Sequence, residues 1–221
     1  MTKGLLTKIA LPACLLVCGA PPVCAAGGVV TARPAPAIAG SQKRGAAPQR
    51  RGRQRRLRRP DVIFVPTPPE TVDEMLRQAH LKKGDVLYDL GSGDGRIPLA
   101  AARKYGVRAV GIDIDPKLVA EANEAARREG LESLVSFRHA DMFAADVSEA
   151  TVVTLYLSNT LNVMLRPKLL RELRPGARVV SHDFRMGDWT PEKTVRVPWK
   201  NLYRTVYVWT VPRGGRYRKG V

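Results

Sequence analysis

The sequence has little cysteine, and all of it lies near the amino terminus. The three cysteines among the 221 residues are Cys14, Cys18 and Cys24. Residues 25–221 therefore contain no thiol, which excludes a disulfide, a thiolate metal site and a cysteine nucleophile from that part of the chain. We predict no metal site, and cysteine usage leaves the cellular compartment open.

Acidic residues are absent from the first 60 residues. That stretch holds 12 Lys and Arg and no Asp or Glu, whereas residues 61–221 hold 25 basic and 20 acidic residues. Most of the formal net charge of +17 therefore belongs to the amino-terminal stretch. The break in composition near residue 61 predicts that a single folded domain begins there and that extensions flank it.

A hydrophobic run long enough to span a membrane is also missing from the leader. Its apolar run, residues 9–17, is short and contains Pro12. Lys3 and Lys8 precede this run, and small residues follow it. Residues 1–26 therefore have the layout of a secretory signal peptide cleaved near Ala25 or Ala26. We expect export to the periplasm or beyond; an uncleaved N-terminal anchor and an organellar transit peptide are the alternatives.

Residues 27–60 contain mainly Ala, Pro, Gly, Gln and Arg and end in QRRGRQRRLRRP. This composition predicts a disordered, basic linker. The functional alternative is a tether to an anionic surface such as lipid headgroups. No aromatic residue is interleaved with the arginines, so we do not expect specific nucleic-acid binding by this stretch.

The most informative stretch is VLYDLGSGDGRI, residues 86–97, in which an apolar strand leads into a glycine-rich loop and then a helix. Gly91, Gly93 and Gly95 let the backbone turn tightly and let a ligand approach where a Cβ would block it. The helix that follows points its first N–H groups at the same place. The pattern predicts a ligand cradle at this loop.

Two acidic residues identify the ligand class. Asp89 ends the strand before the loop, and Asp113 ends the next strand, where a carboxylate is expected to bind ribose hydroxyls. Arg96 replaces the last glycine of the dinucleotide fingerprint, and Asp89 would repel a pyrophosphate. Both features disfavour a nicotinamide oxidoreductase and favour a ligand with an amine or a sulfonium, such as S-adenosylmethionine (SAM).

Four motifs in order, DLGSGDGRI, AVGIDIDP, HADMF and LRPGARVVSHDF, resemble those of class I SAM-dependent methyltransferases. The resemblance implies a Rossmann-like α/β fold over residues 61–212, with a seven-stranded, mostly parallel sheet whose last strand is antiparallel. A basic tail, residues 213–221, follows. In finer detail VPTPPETVDEML and VVTLYL are similar to the family of the ATP synthase c-subunit lysine methyltransferase and, more remotely, to Dot1-like enzymes.

This resemblance also implies roles for two residues outside the glycine loop. In class I methyltransferases an acidic residue after the third strand accepts the adenine amino group, a role that falls on Asp141. The segment before the first helix lies over the methionine part of SAM in the resembled families, which places Thr67 there. The predicted SAM-binding residues are thus Thr67, Asp89, Gly91, Gly93, Gly95, Asp113 and Asp141.

Pattern and capping signals predict the remaining elements. Thr67-Pro-Pro-Glu70 has the pattern of a capping box, which predicts a helix from there to about Ala79. Asp115 is predicted to cap the third helix. Further helices are predicted over 97–105, 117–128 and 161–173, and strands over 134–138, 151–157, 177–184, 195–197 and 203–211.

The acceptor side of the site is less well marked. Tyr156 is the first candidate for a residue that lines the acceptor channel and His182 the second; the alternative is that both are structural. A hydrolase triad of Ser181, His182 and Asp183 is disfavoured because neighbours in a strand point to opposite faces. The residues after Tyr156 also depart from the [DN]-P-P-[YF] motif of enzymes that methylate base amines.

These observations lead to one functional hypothesis and two alternatives. We expect a monomeric SAM-dependent methyltransferase that modifies a lysine of a protein, because the motifs indicate SAM and the resembled family acts on lysine. The alternatives are a methyltransferase of a small molecule and a SAM-binding protein without catalysis. The general base and the acceptor itself are not identified by the sequence.

Overall fold

The computed structural model describes residue 57 and residues 61–215. The predicted leader, almost all of the linker and most of the basic tail lie outside the described residues. The elements are α1 (Pro69–Gln78), β1 (Val86–Leu90), α2 (Arg96–Tyr105), β2 (Arg108–Asp113), α3 (Pro116–Arg128), β3 (Val135–His139), β4 (Val152–Leu155), α4 (Asn159–Glu172), β5 (Arg178–His182), β6 (Lys193–Trp199), β7 (Leu202–Thr210) and a short 3₁₀ turn, Arg213–Gly215.

The strands form one seven-stranded sheet in the order β3-β2-β1-β4-β5-β7-β6. Neighbours from β3 to β5 pair in parallel, and β7 is antiparallel to both β5 and β6. The predicted seven-stranded, mostly parallel α/β sheet with an antiparallel last strand is therefore confirmed. The chain order reverses between β1 and β4, and in such sheets a ligand binds beyond the carboxyl ends of the strands at the reversal.

Helices cover both faces of the sheet. On one face α1, α2 and α3 pack against the sheet through a cluster that includes Met75, Leu87 and Ala122. On the other face α4 packs through a cluster that includes Tyr88 and Leu165. The central strands β1 and β4 are almost completely buried, which explains their continuous apolar sequence. Two covered faces leave only the strand ends open to a ligand.

The predicted capping box at the start of α1 is wrong. The helix begins one residue later than the box requires, with Pro68 at the N-cap and no side-chain cap, and Pro69 occupies the first helical position. The Thr67 hydroxyl instead lies 3.2 Å from Nδ1 of His182, 115 residues away in the sequence. A tertiary hydrogen bond has taken the place of the local one.

The observed ends of other elements differ from the predicted ends by a few residues. The fourth strand ends at Leu155, so Tyr156 lies just beyond it. Helix α4 begins at Asn159 because the Ser158 side chain accepts a hydrogen bond from the Leu161 N–H. The third helix has the predicted cap, since Asp115 accepts a hydrogen bond from the Lys117 N–H.

Among the described residues, no helix has the length and apolar character that crossing a membrane requires. The same residues contain no cluster of His, Cys, Asp and Glu side chains suited to a metal ion. Residues 61–68 precede α1 and belong to no helix or strand. We call residues 61–67 the arm.

Candidate active site

A cleft of about 450 Å³ lies at the carboxyl ends of β1, β2 and β4, where the strand order reverses. The arm and the loop after β3 complete its walls. The fold brings six of the nine predicted site residues to this cleft: Thr67, Asp89, Gly91, Asp113, Asp141 and Tyr156. The other three, Gly93, Gly95 and His182, do not line it.

The glycine loop is held against β2 by its backbone. The N–H groups of Gly91 and Ser92 donate to the Ile112 carbonyl at 2.8 and 3.1 Å. Gly91 has a φ of 78°, and a Cβ on it would lie 2.5 Å from Leu157 Cδ2. Both facts restrict this position to glycine.

The other two glycines serve the loop and not the cleft surface. A Cβ on Gly93 would collide with the ring of Phe64, and one on Gly95 with the ring of Phe137. Gly95 is also the N-cap of α2, with a φ of 80°. Gly93 thus makes room for the arm and Gly95 makes room for β3, and the predicted contacts of these two glycines with the ligand stay predictions.

Asp113 is positioned by two backbone hydrogen bonds. Its Oδ2 accepts from the Gly93 N–H at 2.8 Å, and its Oδ1 accepts from the Asp115 N–H at 2.9 Å. Each carboxylate oxygen has further lone pairs, which can accept from the vicinal hydroxyls of a ribose. The side chain thus ties the glycine loop to β2 while it faces the cleft.

Asp89 is nearly inaccessible, with 2% of its surface exposed, yet it lines the cleft. Thr154 Oγ1 donates to Asp89 Oδ1 at 2.7 Å. Burial raises the pKa of Asp89 to about 8, and the nearby carboxylates of Asp113 and Asp94 add to the increase, while the Thr154 hydrogen bond opposes it. A carboxyl group of this kind favours a cationic ligand, which would stabilise the ionised form.

Asp141 lines the cleft from the loop after β3. Its Oδ1 accepts from the Phe143 N–H at 2.9 Å, which fixes the turn after β3. Beside it the cleft is lined by the apolar side chains of Ile114, Leu118 and Met142. An apolar slot with one acceptor at its rim suits a flat heterocycle that carries an amino group. The sequence analysis did not name Ile114 and Leu118 as site residues. The apolar residue directly after Asp113 could have indicated the first of them.

Ser92 is a second residue that sequence reasoning missed. It lines the cleft, and its hydroxyl oxygen is buried without a hydrogen-bond partner among the described residues. A buried polar atom of this kind usually has a ligand or water as its partner. The glycine pattern around Ser92 gave no indication of this role.

Arg96 connects the arm to the loop. Its Nη1 donates to the Thr67 carbonyl at 2.8 Å, and its Nη2 pairs with Asp94 Oδ2 at 2.6 Å. Arg96, which stands in place of the last glycine of the dinucleotide fingerprint, is part of the cleft wall. The arm is thereby fixed over the first turn of α2.

Tyr156 and His182 are stacked. Their ring centroids are 3.8 Å apart with an interplanar angle of 26°. Tyr156 lines the cleft, whereas His182 has no exposed surface and lies behind it. His182 therefore does not line the acceptor channel, and it can reach a ligand only through another residue.

Ser181, His182 and Asp183 do not form a relay. Ser181 Oγ accepts from Asn162 Nδ2 at 3.0 Å on the other face of the sheet. Asp183 Oδ1 accepts from the Thr205 N–H at 2.7 Å, and Oδ2 accepts from Arg204 at 3.0 Å. The hydrolase interpretation is therefore excluded by the position of Ser181.

The cleft fits SAM on its own chemistry. Four features match the parts of this ligand. They are the space that a Cβ on Gly91 would fill, the buried Ser92 hydroxyl without a partner among the described residues, the Asp113 carboxylate beside the loop, and the Asp89 carboxyl group, which favours a cation. The ribose would lie at Asp113, the adenine at Asp141 and the cationic methionine end near Asp89 and Thr67. Fold and site together define a class I SAM-dependent methyltransferase.

Comparison with known proteins agrees with this class. The family model of the ANTKMT methyltransferase domain matches residues 89–193. A protein-lysine N-methyltransferase of Saccharolobus islandicus is 42% identical over 153 residues, which cover 69% of this chain and 95% of that protein. The chain belongs to this family of methyltransferases, and SAM is its cofactor.

Two other proteins are also similar to this chain. The human lysine N-methyltransferase of the ATP synthase c-subunit is 35% identical over 136 residues, covering 62% of this chain and 58% of that protein. A crystal structure described as an RNA methyltransferase from Salinibacter ruber, in complex with S-adenosylhomocysteine, has a TM-score of 0.64 and 55% identity. It covers 67% of this chain and 95% of that chain. The names of these relatives thus differ in the acceptor, which is a protein lysine in two of them and RNA in the third.

Proposed function

We propose that this protein transfers the methyl group of SAM to the side-chain amine of a lysine in a protein substrate. The observation that carries the proposal is the 42% identity to a protein-lysine N-methyltransferase over 95% of that protein's length. The relatives named for the ATP synthase c-subunit and for the adenine nucleotide translocase point to the same acceptor group.

The acceptor end of the cleft supports a lysine. It is lined by Tyr156, Leu157 and Leu161, all apolar or aromatic. A lysine attacks only when its amine is neutral, and an apolar environment lowers the pKa of an amine by desolvation. The cleft can therefore promote loss of the lysine proton without a strong general base beside it.

The remaining task of the protein is to hold donor and acceptor in line. SAM supplies an activated methyl group on its sulfonium. Asp113 and the glycine loop hold one end of the cleft, Tyr156 lines the other, and the arm covers the loop. Orientation and exclusion of water of this kind account for most of the catalysis that a displacement reaction requires.

RNA is the second candidate acceptor, because the Salinibacter relative is described as an RNA methyltransferase. The β6–β7 hairpin is compatible with it, since Leu202 and Tyr203 are exposed and Arg204 lies over the Trp199 ring at 4.3 Å. Against it, one face of the Tyr156 ring is covered by His182 and is not free to stack on a base. The missing [DN]-P-P-[YF] motif also argues against a base amine.

Partition of a labelled methyl group separates the two acceptors. Lysate would be incubated with the full-length protein and methyl-labelled SAM, then divided and treated with protease or ribonuclease. We expect label that survives ribonuclease and is lost with protease. Label that follows RNA would overturn the lysine proposal, and label in small molecules alone would favour the small-molecule alternative. The Asp113→Ala variant is the inactive control, and Glu121→Ala, on an exposed face of α3, is the matched control.

We further propose that the protein is exported or anchored by its amino terminus and works as a monomer. The support for the first part is the layout of residues 1–26, and the Arg-rich linker suits an anionic membrane surface. Cell fractionation and sedimentation of the purified protein test the two parts; a cytosolic protein that keeps Met1, or a stable dimer, would contradict them.

A further inference from the structure

We propose that His182 is a positioning residue that acts through Thr67. The imidazole accepts a hydrogen bond from the Thr67 hydroxyl at Nδ1. This turns the lone pairs of the Thr67 oxygen towards the cleft, where they accept a hydrogen bond from an N–H group. The N–H group belongs either to the methionine ammonium of SAM or to the acceptor amine. Only the second source rests on the proposed lysine function.

The first step is the contact itself. Thr67 Oγ1 lies 3.2 Å from His182 Nδ1, and both side chains are buried. Thr67 has 4% of its surface exposed, and it lines the cleft, whereas His182 has none exposed and does not. The hydroxyl is therefore the group through which the histidine can influence a ligand.

The second step is the charge state of the ring. Burial lowers the pKa of His182 to about 4, with the nearby Arg204 guanidinium lowering it further and the Asp183 carboxylate raising it. The close stack of the ring on Tyr156 is also compatible with a neutral imidazole. A neutral imidazole has one N–H and one acceptor nitrogen, so the direction of the Thr67 hydrogen bond depends on the tautomer.

The third step fixes the tautomer. His182 Nε2 lies 3.3 Å from Asp183 Oδ2, although the angle does not make a hydrogen bond. Asp183 forms an ion pair with Arg204 at 3.0 Å and accepts a hydrogen bond from the Thr205 N–H. A lone pair on Nε2 would face this negative charge, whereas an N–H on Nε2 is attracted by it. The proton therefore lies on Nε2, Nδ1 is the acceptor, and Thr67 must donate.

The backbone at Asp183 makes this arrangement possible. Its φ is 58°, in the left-handed region that non-glycine residues rarely adopt, though aspartate tolerates it better than most. The turn brings the Asp183 carboxylate back to the ring of the preceding residue, which two successive residues of a regular strand could not achieve. Backbone strain of this kind is concentrated at functional sites.

The consequence for a ligand is a hydroxyl of fixed polarity. A free threonine hydroxyl can donate or accept, but one committed to Nδ1 offers only lone pairs on its remaining side. Such a group favours an ammonium or amine and disfavours a carboxylate or carbonyl. For a neutral lysine amine, acceptance of one N–H would help to aim the nitrogen lone pair at the methyl group.

Ligand titrations with the full-length protein test this inference and identify the N–H donor. The ligands are S-adenosylhomocysteine and 5′-methylthioadenosine, which lacks the amino-acid part. Thr67→Val removes the hydroxyl at nearly constant shape, His182→Phe removes Nδ1 and keeps a ring against Tyr156, and Thr67→Ser should restore wild-type behaviour. Ser181→Ala, which loses a buried hydrogen bond of β5 on the opposite face, is the matched control.

If the donor is the methionine ammonium, Thr67→Val and His182→Phe should weaken S-adenosylhomocysteine binding by about tenfold and leave methylthioadenosine unchanged. If the donor is the acceptor amine, both affinities stay constant, while kcat/KM for the acceptor falls by about tenfold. Either result supports the inference. Wild-type binding and kinetics in Thr67→Val, or a His182→Phe variant that fails to follow it, would overturn it.

A measurement on the wild-type protein keeps the inference testable if a variant fails to fold. Nitrogen-15 NMR of the imidazole resonances reports which ring nitrogen carries the proton. We expect His182 to be neutral at pH 7 with the proton on Nε2. A proton on Nδ1, or a charged ring at pH 7, would contradict the inference directly and would leave the assignment as a methyltransferase intact.

Discussion

Asp89 is the residue whose protonation is most closely linked to the cofactor. In the ligand-free fold its pKa is raised to about 8, mainly by burial, so the side chain is largely protonated at pH 7. The methionine end of SAM carries a sulfonium and an ammonium, which stabilise the ionised carboxylate. Cofactor binding and loss of the Asp89 proton are therefore coupled.

This coupling predicts proton release when SAM binds. At pH 7 the wild-type protein should release close to one proton per SAM bound, whereas Asp89→Asn should release far less and bind more weakly. Calorimetric titration in two buffers with different ionisation enthalpies measures the number. Equal proton release in the wild type and the variant would show that Asp89 does not titrate on binding.

The same residue predicts how the stability of the ligand-free protein depends on pH. The unfolded chain loses the Asp89 proton near its ordinary pKa of 3.8, while the folded protein retains it up to about 8. Between these values the folded state binds one proton more, so its stability falls as pH rises, and the loss is complete above about 8. Asp89→Asn should therefore be more stable than the wild type at pH 8 and show a smaller difference at pH 5, as thermal unfolding would measure. An equal difference at both pH values would contradict the assignment.

The residue types that carry chemistry were visible in the sequence, but their partners were not. Asp113 and Asp89 could be predicted because they end apolar strands beside a glycine loop. The hydrogen bond from Thr67 to His182 joins residues 115 positions apart and has no local signal. The Thr67 pattern even indicated a helix cap, which the tertiary contact overrides.

At the scale of elements, the glycine loop and the arm form the floor and cover of the cleft. Gly91 is the position where a side chain would enter the cradle, because its Cβ would lie 2.5 Å from Leu157 and its φ is 78°. Gly106 has a similar φ of 63° and open space around it. A substitution at Gly91 therefore brings both backbone strain and steric blockage, whereas the same substitution at Gly106 brings backbone strain alone.

Gly91→Val should abolish SAM binding, whereas Gly106→Val should bind SAM as the wild type does. Both variants carry a comparable cost for a positive φ, of the order of 1 kcal/mol or more. Isothermal titration after a check of folding by circular dichroism makes the comparison. Retained binding in a folded Gly91→Val variant would place the cofactor elsewhere.

The arm makes a second prediction at this scale. Phe64 packs on the glycine loop at Gly93 and lines the cleft with 45% of its surface exposed, whereas Leu202, on the β6–β7 hairpin, is 64% exposed and does not line the cleft. Phe64→Ala should weaken SAM binding several-fold, since loss of a half-exposed ring removes only part of the about 1.5–3 kcal/mol that full burial of such a side chain contributes. Leu202→Ala is the control and should retain wild-type affinity. Equal affinities in both variants would show that the arm does not cover the cofactor.

The elements themselves were largely predictable, and their ends were not. Buried parallel strands such as β4 require continuous apolar sequence, and the Asp115 cap marks the start of α3, so both could be recognised. The arm could not be placed, because its position depends on the ring of Phe64 meeting a glycine about 30 residues later. Loops that cover a site carry few periodic signals.

At the scale of the whole molecule, the first acidic residue of the chain is Asp61. The prediction that residues 61–212 are an independent domain rests on this break in composition. A fragment that begins at Asp61 should fold and bind SAM with the affinity of the full-length protein, because the contacts described for the cleft lie within residues 61–215. Thermal unfolding and titration of the fragment check this. An insoluble fragment, or one with much weaker binding, would show that the basic linker contributes to the fold.

The central claim is that this cleft transfers a methyl group from SAM to a lysine. The most direct measurement is mass spectrometry of proteins incubated with the full-length enzyme and isotope-labelled SAM, with S-adenosylhomocysteine quantified in the same reaction. The account predicts methylated lysine in at least one protein, in a one-to-one ratio with the S-adenosylhomocysteine formed, and its loss in Asp113→Ala. S-adenosylhomocysteine formed with the label in nucleotides and no methyl-lysine, or methyl-lysine that persists in Asp113→Ala, would contradict it.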